Sequence, residues 1–183
     1  MDEKRRLIVF IDSGDTIIDE KTEIRKIRGG IVREAGLLPG IKEVLFQLKE
    51  LGFRVCLVAD GYQESFEIMF RQNGIMDDLY EAWSISDVVG NSKPEGDMFE
   101  LAFRKMNLTE ADKPRTIMIG NNISADILGA NRFGIRSVLL RWSHRHKWEP
   151  DNEEEAPVYT IEDASDIVPL CLKLDAELCG EGN

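Results

Sequence analysis

The amino-acid sequence predicts an α/β fold, a doubly wound (Rossmann-like) parallel sheet of about five strands with helices on both faces. Three observations lead to this prediction. Short apolar runs rich in β-branched residues recur along the chain, helical stretches separate them, and glycine or proline stands at many of the junctions. Strands that alternate with helices in this way form βαβ units, in which a helix joins two parallel strands.

Five apolar runs are predicted to be the strands of this sheet. The first, 7–11 (Leu-Ile-Val-Phe-Ile), is apolar at every position, as expected for a strand buried on both faces. The others are 55–58, 82–85, 116–119 and 136–140. Ligands bind such sheets at the carboxyl ends of the strands, so the residues directly after each run are the first candidates for a functional site.

The segments between these runs carry apolar residues at the spacing of amphipathic helices. The clearest follows Pro39 and Gly40 and ends at Gly52, a residue suited to the left-handed conformation that closes many helices. We predict further helices at 64–72, 99–106, 124–133 and 161–178.

Length and composition indicate a single domain. The chain has 183 residues, of which 43% are hydrophobic and 31% charged, which are ordinary proportions for a globular protein. We expect one domain over 1–183, with its core at about 7–140, a rudimentary flap at 17–36 and a C-terminal loop and helix at 142–183.

Charge and apolar patterning exclude several classes of partner. The net charge of −11 repels a phosphate backbone, so we do not expect nucleic acid as a general partner. No apolar run approaches the roughly 20 residues that span a bilayer, and the N-terminus lacks the apolar segment of a secretory signal. Three cysteines without metal-ligand spacing fit a reducing compartment. We therefore expect a cytoplasmic protein with no membrane partner.

Polar residues that can do chemistry stand directly after the first two strands. Asp12 follows the first strand and begins the sequence Asp-Ser-Gly-Asp-Thr. A carboxylate at the tip of a buried strand can act as a nucleophile or a metal ligand, although the same pattern fits a side chain that caps a turn. Asp60 and Gly61 follow the second strand, in a loop whose backbone N–H groups can bind an anion.

Further candidates lie later in the chain. Lys93 stands in a loop before a proline, where a lysine is either solvated or held as a local cation. The fourth strand continues into a segment that places Asn121 and Asp126 at a strand-to-helix junction. Amide and carboxylate oxygens there suit a hard cation, while capping of the helix by Asn122 or Ser124 is the structural alternative.

The order of these elements resembles that of the haloacid dehalogenase (HAD) superfamily of hydrolases, over about 7–140. In that family a strand followed by Asp-x-Asp-x-Thr comes first, and a strand ending in Ser or Thr comes second. A lysine is third, and Gly-Asp-x-x-x-x-Asp is fourth. The positions of this chain that fall on those motifs are Asp12, Thr16, Ala59, Lys93, Gly120, Asn121 and Asp126.

The resemblance implies a phosphohydrolase that depends on Mg²⁺. Asp12 would attack phosphorus and form an aspartyl-phosphate that water then hydrolyses. Lys93, oriented by Asp126, would neutralise the nucleophile and the transferring phosphoryl group. Asp12, the backbone carbonyl of Gly14 and the side chain of Asn121 would hold the Mg²⁺.

The resemblance also implies how the substrate is bound. Thr16 would fix the first loop, and the backbone at Ala59, Asp60 and Gly61 would donate to phosphate oxygens. The implied substrate is a phosphorylated small molecule or a larger phosphorylated partner.

Three positions depart from the pattern of the family. Gly14 stands where its phosphatases carry the Asp that acts as general acid and base. Ala59 lacks the hydroxyl that would donate to phosphate, and Asn121 is neutral where a carboxylate binds the metal. Because no obvious group protonates the leaving oxygen, we predict that aryl phosphates are cleaved better than alkyl phosphates.

Two other functions remain open at this point. The same Asp12 nucleophile would serve the hydrolysis of another bond, such as carbon–halogen, for which no metal is needed. Alternatively, the chain is a phosphate-ligand or protein-binding domain that has kept the fold and lost the chemistry.

The spacing of the motifs leaves no room for a full cap domain. An open site suits a large substrate or a neighbouring subunit that closes the pocket, which would make the protein a homo-oligomer. A small metabolite fits if 20–33 folds over the site as a short flap.

The basic run at 144–147 either offers positive charge to an anionic substrate or forms a solvated loop.

Overall fold

The computed structural model describes residues 7–26, 29–76 and 78–180. These residues form a six-stranded sheet with helices on both faces and a separate two-stranded hairpin. The parts of the predicted domain and flap at 1–6, 27–28, 77 and 181–183 lie outside the described residues.

The main sheet is parallel and has β1 near its centre. In chain order, the strands are β1 (Ile8–Ile11), β2 (Ile18–Arg25), β3 (Val32–Leu37), β4 (Arg54–Ala59), β5 (Ala82–Ile85), β6 (Thr116–Gly120), β7 (Arg136–Leu140) and β8 (Tyr159–Ile161). The order in the sheet is β5–β4–β1–β6–β7–β8, and every pair of neighbours is parallel. The predicted fold class is confirmed, with one strand more than the sequence predicts.

Helices follow most of the strands. They are α1 (Ile41–Glu50), α2 (Gln63–Asn73), α3 (Ser86–Val89), α4 (Asp97–Lys105), α5 (Leu128–Phe133) and α6 (Ile167–Gly180). A π-helical turn, Ile123–Ile127, leads into α5. No helix in the described part of the chain combines the length and apolar character needed to cross a membrane.

The predicted helix over 161–178 is wrong at its beginning. Residue 161 belongs to β8, which pairs with β7 at the edge of the sheet, and α6 begins six residues later, at Ile167. Because β8 has only three residues, it is too short to show the alternation that distinguishes a strand from a helix.

The residues of β1 alternate between the two faces of the sheet. Val9 and Ile11 pack on the face covered by α1, α2 and α6, whereas Ile8 and Phe10 pack on the face covered by α4 and α5. All four side chains are fully buried, and each such burial stabilises the fold by about 1.5–3 kcal/mol. The end of β1 is therefore a rigid support for the residue that follows it.

Strands β2 and β3 form an antiparallel hairpin between β1 and α1, in the segment where the sequence predicts a flap. The hairpin packs along α2: the backbone N–H of Val32 donates to Ser65 Oγ at 2.9 Å, and Gln72 Nε2 donates to the carbonyl of Arg33 at 2.8 Å. The hairpin is thus fixed beside the carboxyl ends of the central strands.

Candidate active site

The carboxyl ends of three adjacent strands bring together side chains that lie far apart in the sequence. Asp12 follows β1, Asp60 follows β4, and Asn121 follows β6. The backbone N–H of Asp12 donates to the carbonyl of Ile119 at 2.9 Å, which extends the β1–β6 pairing by one residue. Asp12 is therefore fixed by the sheet itself.

Lys93 links the carboxylates of the site. Its Nζ lies 2.6 Å from Asp12 Oδ1 and 2.6 Å from Asp126 Oδ1, and it donates to the carbonyl of Val58 at 2.8 Å. The backbone N–H of Lys93 donates to Asp60 Oδ1 at 3.0 Å. The Lys93 side chain is only 1% exposed, so these partners replace the water that a free ammonium group would have.

The electrostatics of this cluster favour an added cation. Burial, and after it the charge of Asp126, raise the pKa of Asp12 to about 7, although Lys93 opposes both effects. Burial also raises the pKa of Asp60 above its usual range. Although burial alone lowers the pKa of Lys93, the three carboxylates outweigh it and raise that pKa. One ammonium group thus faces three carboxyl groups, which a dianionic phosphate would not approach without a further cation.

Gly120 makes the position of Asp126 possible. A Cβ atom on residue 120 would lie 2.5 Å from the Cβ atom of Asp126, which is closer than two non-bonded carbon atoms can approach. With no side chain there, Asp126 turns back against the strand, pairs with Lys93, and accepts the backbone N–H of Asn122 on its other oxygen at 2.9 Å.

Replacement of Gly120 by alanine should therefore act on Lys93 through Asp126. We expect Gly120→Ala to destabilise the fold by about 1–3 kcal/mol and to lower turnover, because the displaced carboxylate no longer orients the ammonium group. Denaturant unfolding and steady-state kinetics measure the two effects. Gly96→Ala is a matched control, since a Cβ on residue 96 meets no atom within 4 Å. Wild-type stability in Gly120→Ala would contradict this explanation.

A cavity of about 290 Å³ opens at the strand ends. Its lining residues are Asp12, Gly14, Glu20, Asp60, Lys93, Asn121, Asn122, Ala125, Asp126, Arg145 and His146. The cavity thus contains six of the nine residues to which the sequence assigns a role.

The other three candidates lie outside this cavity. Thr16 and Ala59 are fully buried and do not line the cavity. Among the described residues the Thr16 hydroxyl meets no hydrogen-bond partner, so a role for it in fixing the first loop stays a prediction. Gly61 lines a neighbouring cavity of about 350 Å³ between the hairpin and α2. Gly14, Glu20 and Asp60 line both cavities, which are therefore contiguous.

Among the other lining residues of the cavity are three with charged or titratable side chains. Glu20 comes from β2, and Arg145 and His146 come from the loop after β7. Arg145 Nη1 forms an ion pair with Glu20, and Arg145 Nε lies 3.5 Å from Asp15 Oδ2. No local pattern marks Glu20 in the sequence, because its partner lies more than a hundred residues away.

The basic run at 144–147 divides into two parts. Arg145 and His146 line the cavity, whereas His144 stacks on Trp148 with ring centroids 3.8 Å apart, and Lys147 pairs with Glu155 at 2.5 Å. His144 and Lys147 therefore stabilise the loop after β7, whereas Arg145 and His146 face the site.

The residues present fit a hard cation. Asp12 and Asn121 offer oxygen ligands at adjacent strand ends, and a carbonyl such as that of Gly14 is the remaining type of ligand that Mg²⁺ accepts. Asn121 is 3% exposed and its Nδ2 has no hydrogen-bond partner. Because the amide O and N can exchange places by a flip, this buried amide has an unused coordinating atom. Within the described residues, no cluster of three or more His, Cys, Asp or Glu side chains is arranged to hold a metal, so any bound cation depends on amide and backbone oxygens.

Comparison with known proteins finds relatives and solved structures that are similar to this chain. Glyceraldehyde 3-phosphate phosphatase from Pyrococcus abyssi is 32% identical over 106 residues, which are 57% of this chain and 42% of the relative. An uncharacterized protein from Listeria monocytogenes serotype 4b superposes with a TM-score of 0.74 at 22% identity, covering 93% of this chain and 99% of that one. The magnesium-bound structure of YfnB from Bacillus subtilis gives 0.71 at 17% identity, covering 92% and 99%.

The matches to curated relatives cover only part of those proteins. The chain spans about half the length of the curated relatives it matches, and the structural neighbours establish the fold alone. The family model for haloacid dehalogenase-like hydrolases matches residues 5–134, a range that contains every residue of the site except Arg145 and His146. The chain belongs to the haloacid dehalogenase-like hydrolase family.

Proposed function

We propose that the protein is a Mg²⁺-dependent phosphohydrolase that acts on phosphate monoesters through an aspartyl-phosphate on Asp12. The observation that carries the proposal is the buried triad of Asp12, Lys93 and Asp126, with both nitrogen–oxygen distances at 2.6 Å. A strand-tip carboxylate held beside an ammonium group has the placement that nucleophilic attack on phosphorus needs.

Each residue of the site has its own role in the proposed reaction. Asp12 attacks phosphorus, and Lys93 offsets the charge on the nucleophile and on the phosphoryl oxygens. The backbone N–H of Asp60 would donate to those oxygens, whereas the N–H of Gly61, which the sequence also assigns to this role, already donates to Ser86 Oγ at 2.9 Å. When bound, Mg²⁺ would be held by Asp12, Asn121 and the carbonyl of Gly14, and it would neutralise charge on the transferring group.

The substrate proposed is a small phosphorylated metabolite in the cytoplasm. Relatives of this chain are named as phosphatases of such a compound, glyceraldehyde 3-phosphate. The contiguous cavities of about 290 and 350 Å³ have the size of small-molecule sites. All three cysteines are free, in keeping with a reducing compartment.

A panel of phosphomonoesters, assayed with Mg²⁺ and with a chelator, tests the proposal. We expect phosphate release from at least one phosphorylated metabolite and its loss when Mg²⁺ is removed. Halide release from 2-haloacids without metal would instead identify the dehalogenase reaction. A protein that is inert toward the whole panel but is thermally stabilised by one of its ligands would be a binding domain, and the proposal would be wrong.

The neutral amide at residue 121 predicts weak binding of Mg²⁺. Asn121→Asp should tighten it, because a carboxylate adds charge to an oxygen ligand already in place. Isothermal titration calorimetry with Mg²⁺ alone measures the change. Asn122→Asp is the matched control: it adds the same charge one residue away, and its carboxylate can still accept the Ser124 N–H that Asn122 accepts at 3.0 Å. Equal tightening by both variants would remove Asn121 from the coordination shell.

A further inference from the structure

The cavity at the strand ends contains one carboxylate that the proposed reaction has not used. Asp12 is the nucleophile, Asp126 is bound by Lys93 and by a backbone N–H, and Asp60 accepts the backbone N–H of Lys93. Glu20 lines the same cavity, but its carboxylate pairs with an arginine instead of Lys93.

The Glu20 carboxylate occupies the space of an absent side chain at residue 14. A Cβ atom on Gly14 would lie 2.9 Å from Glu20 Cδ and closer still to Glu20 Oε1. Gly14 does not have a positive φ, so its backbone conformation does not require glycine. The missing side chain at residue 14, two residues after Asp12, is what makes room for Glu20.

Two anchors hold Glu20 in this position. Its backbone N–H donates to Asp15 Oδ1 at 3.0 Å, and Arg145 pairs with its carboxylate while reaching Asp15 Oδ2 at 3.5 Å. Asp15 is 1% exposed, and the Glu20 side chain is 24% exposed. Glu20 is thus fixed, yet open to the cavity. A group placed in this way loses little entropy when it acts on a bound substrate.

We infer that Glu20 is the general acid and base of the reaction. This inference rests on the proposed function. The step begins with a proton on Glu20 Oε1, the oxygen beside Gly14, while Glu20 Oε2 stays on Arg145. As Asp12 bonds to phosphorus and the bond from phosphorus to the ester oxygen breaks, Glu20 Oε1 gives this proton to that oxygen. The Glu20 carboxylate then takes a proton from water, whose oxygen bonds to phosphorus as the bond to Asp12 breaks. Phosphate leaves, Asp12 is again a carboxylate, and Glu20 is again protonated.

The test compares two leaving groups in Glu20→Gln, which keeps the size of the side chain but cannot carry the proton. For alkyl phosphates, whose leaving oxygen needs a proton, we expect kcat/KM to fall by about 10²–10⁴-fold. For aryl phosphates, which leave as stable anions, the fall should be less than about tenfold. Glu34→Gln, an exposed position on β3 of the same hairpin, is the matched control and should retain wild-type rates on both.

A second pair of variants tests whether a side chain at residue 14 and the side chain of Glu20 compete for the same space. Gly14→Asp alone places a second carboxylate where Glu20 lies. The double variant Gly14→Asp/Glu20→Ala removes this conflict and supplies a carboxylate from the other strand. We expect the double variant to cleave alkyl phosphates faster than Glu20→Ala does. Together with the dependence on the leaving group in Glu20→Gln, this rescue supports a catalytic role for Glu20.

The outcomes separate the two proposals. If Glu20→Gln lowers both rates equally, or neither, Glu20 is not the proton donor, while phosphatase activity that is lost in Asp12→Asn still upholds the proposed function. A dependence on the leaving group that appears in His146→Gln and not in Glu20→Gln would assign the role to His146 and overturn the inference. If the wild type hydrolyses no phosphate ester, both proposals fall.

Discussion

Asp12→Asn is expected to abolish turnover and to leave the fold intact. An amide cannot attack phosphorus, so no covalent intermediate forms. Its oxygen can still accept from Lys93 Nζ, which lies 2.6 Å from Asp12 Oδ1, and Lys93 retains its partners on Asp126 and Val58.

The stability of Asp12→Asn should equal or exceed that of the wild type in the absence of metal. Burial raises the pKa of Asp12 to about 7, so the folded state disfavours its ionised form. A carboxyl group of this kind weakens the fold above its folded pKa, and the effect disappears as the pH falls toward its value in the unfolded chain. The advantage of Asp12→Asn is therefore largest above about pH 7 and vanishes near about pH 4.

Thermal unfolding over this pH range and phosphate release measure the two effects. Asp78→Asn is the matched control, because that carboxylate is 87% exposed and pairs with Lys49 at 3.7 Å. It should change neither quantity. Turnover by Asp12→Asn above a trace, or a fold that collapses without this carboxylate, would contradict the role assigned to Asp12.

Lys93→Met should be the most destabilising single change at the site. The ammonium group is 1% exposed and lies 2.6 Å from two carboxylates. Its removal leaves Asp12 and Asp126 buried without a cation, and the loss of one partner from a buried ion pair costs about 3–5 kcal/mol. Activity should vanish as well, since nothing offsets the charge on the nucleophile.

The pH dependence identifies the cause of this destabilisation. Without Lys93 the pKa of Asp12 rises further, so the penalty from its ionised form is present above that pKa and is lost as the pH falls and Asp12 becomes protonated. Urea unfolding at about pH 8 and about pH 5 should show the difference from wild type shrinking with acidity. Lys49→Met, which breaks the exposed pair with Asp78, should cost at most about 1 kcal/mol. A penalty independent of pH would mean that Lys93 acts through packing.

The sequence predicts the site residues that directly follow a strand, because the same short segment shows both the strand and the functional side chain at its end. A strand that is apolar at every position, followed by Asp12, predicts both a central β1 and a carboxylate at its end. The same holds for Asn121 and for the loop at Asp60, since parallel strands present their ends at one edge of the sheet. The predicted positions of these residues therefore follow from the topology.

The contributions that the sequence did not predict depend on contacts between distant segments. Glu20 reaches the cavity only because the hairpin packs on α2 and Arg145 holds its carboxylate. The reason for glycine at residue 14 is likewise a neighbour in space, the Glu20 side chain. Strand β8 was missed for a different reason, because three residues at a sheet edge carry too little pattern to read.

The most direct test of the covalent mechanism is mass spectrometry of protein quenched in acid during steady-state hydrolysis of an aryl phosphate. Glu20→Gln is the protein to use, because attack on phosphorus by Asp12 continues while hydrolysis of the intermediate is slowed. The expected result is one added phosphoryl group, located on the peptide that contains Asp12. A phosphoryl group on another side chain would contradict the mechanism, whereas an unmodified protein during continued turnover would contradict the role inferred for Glu20.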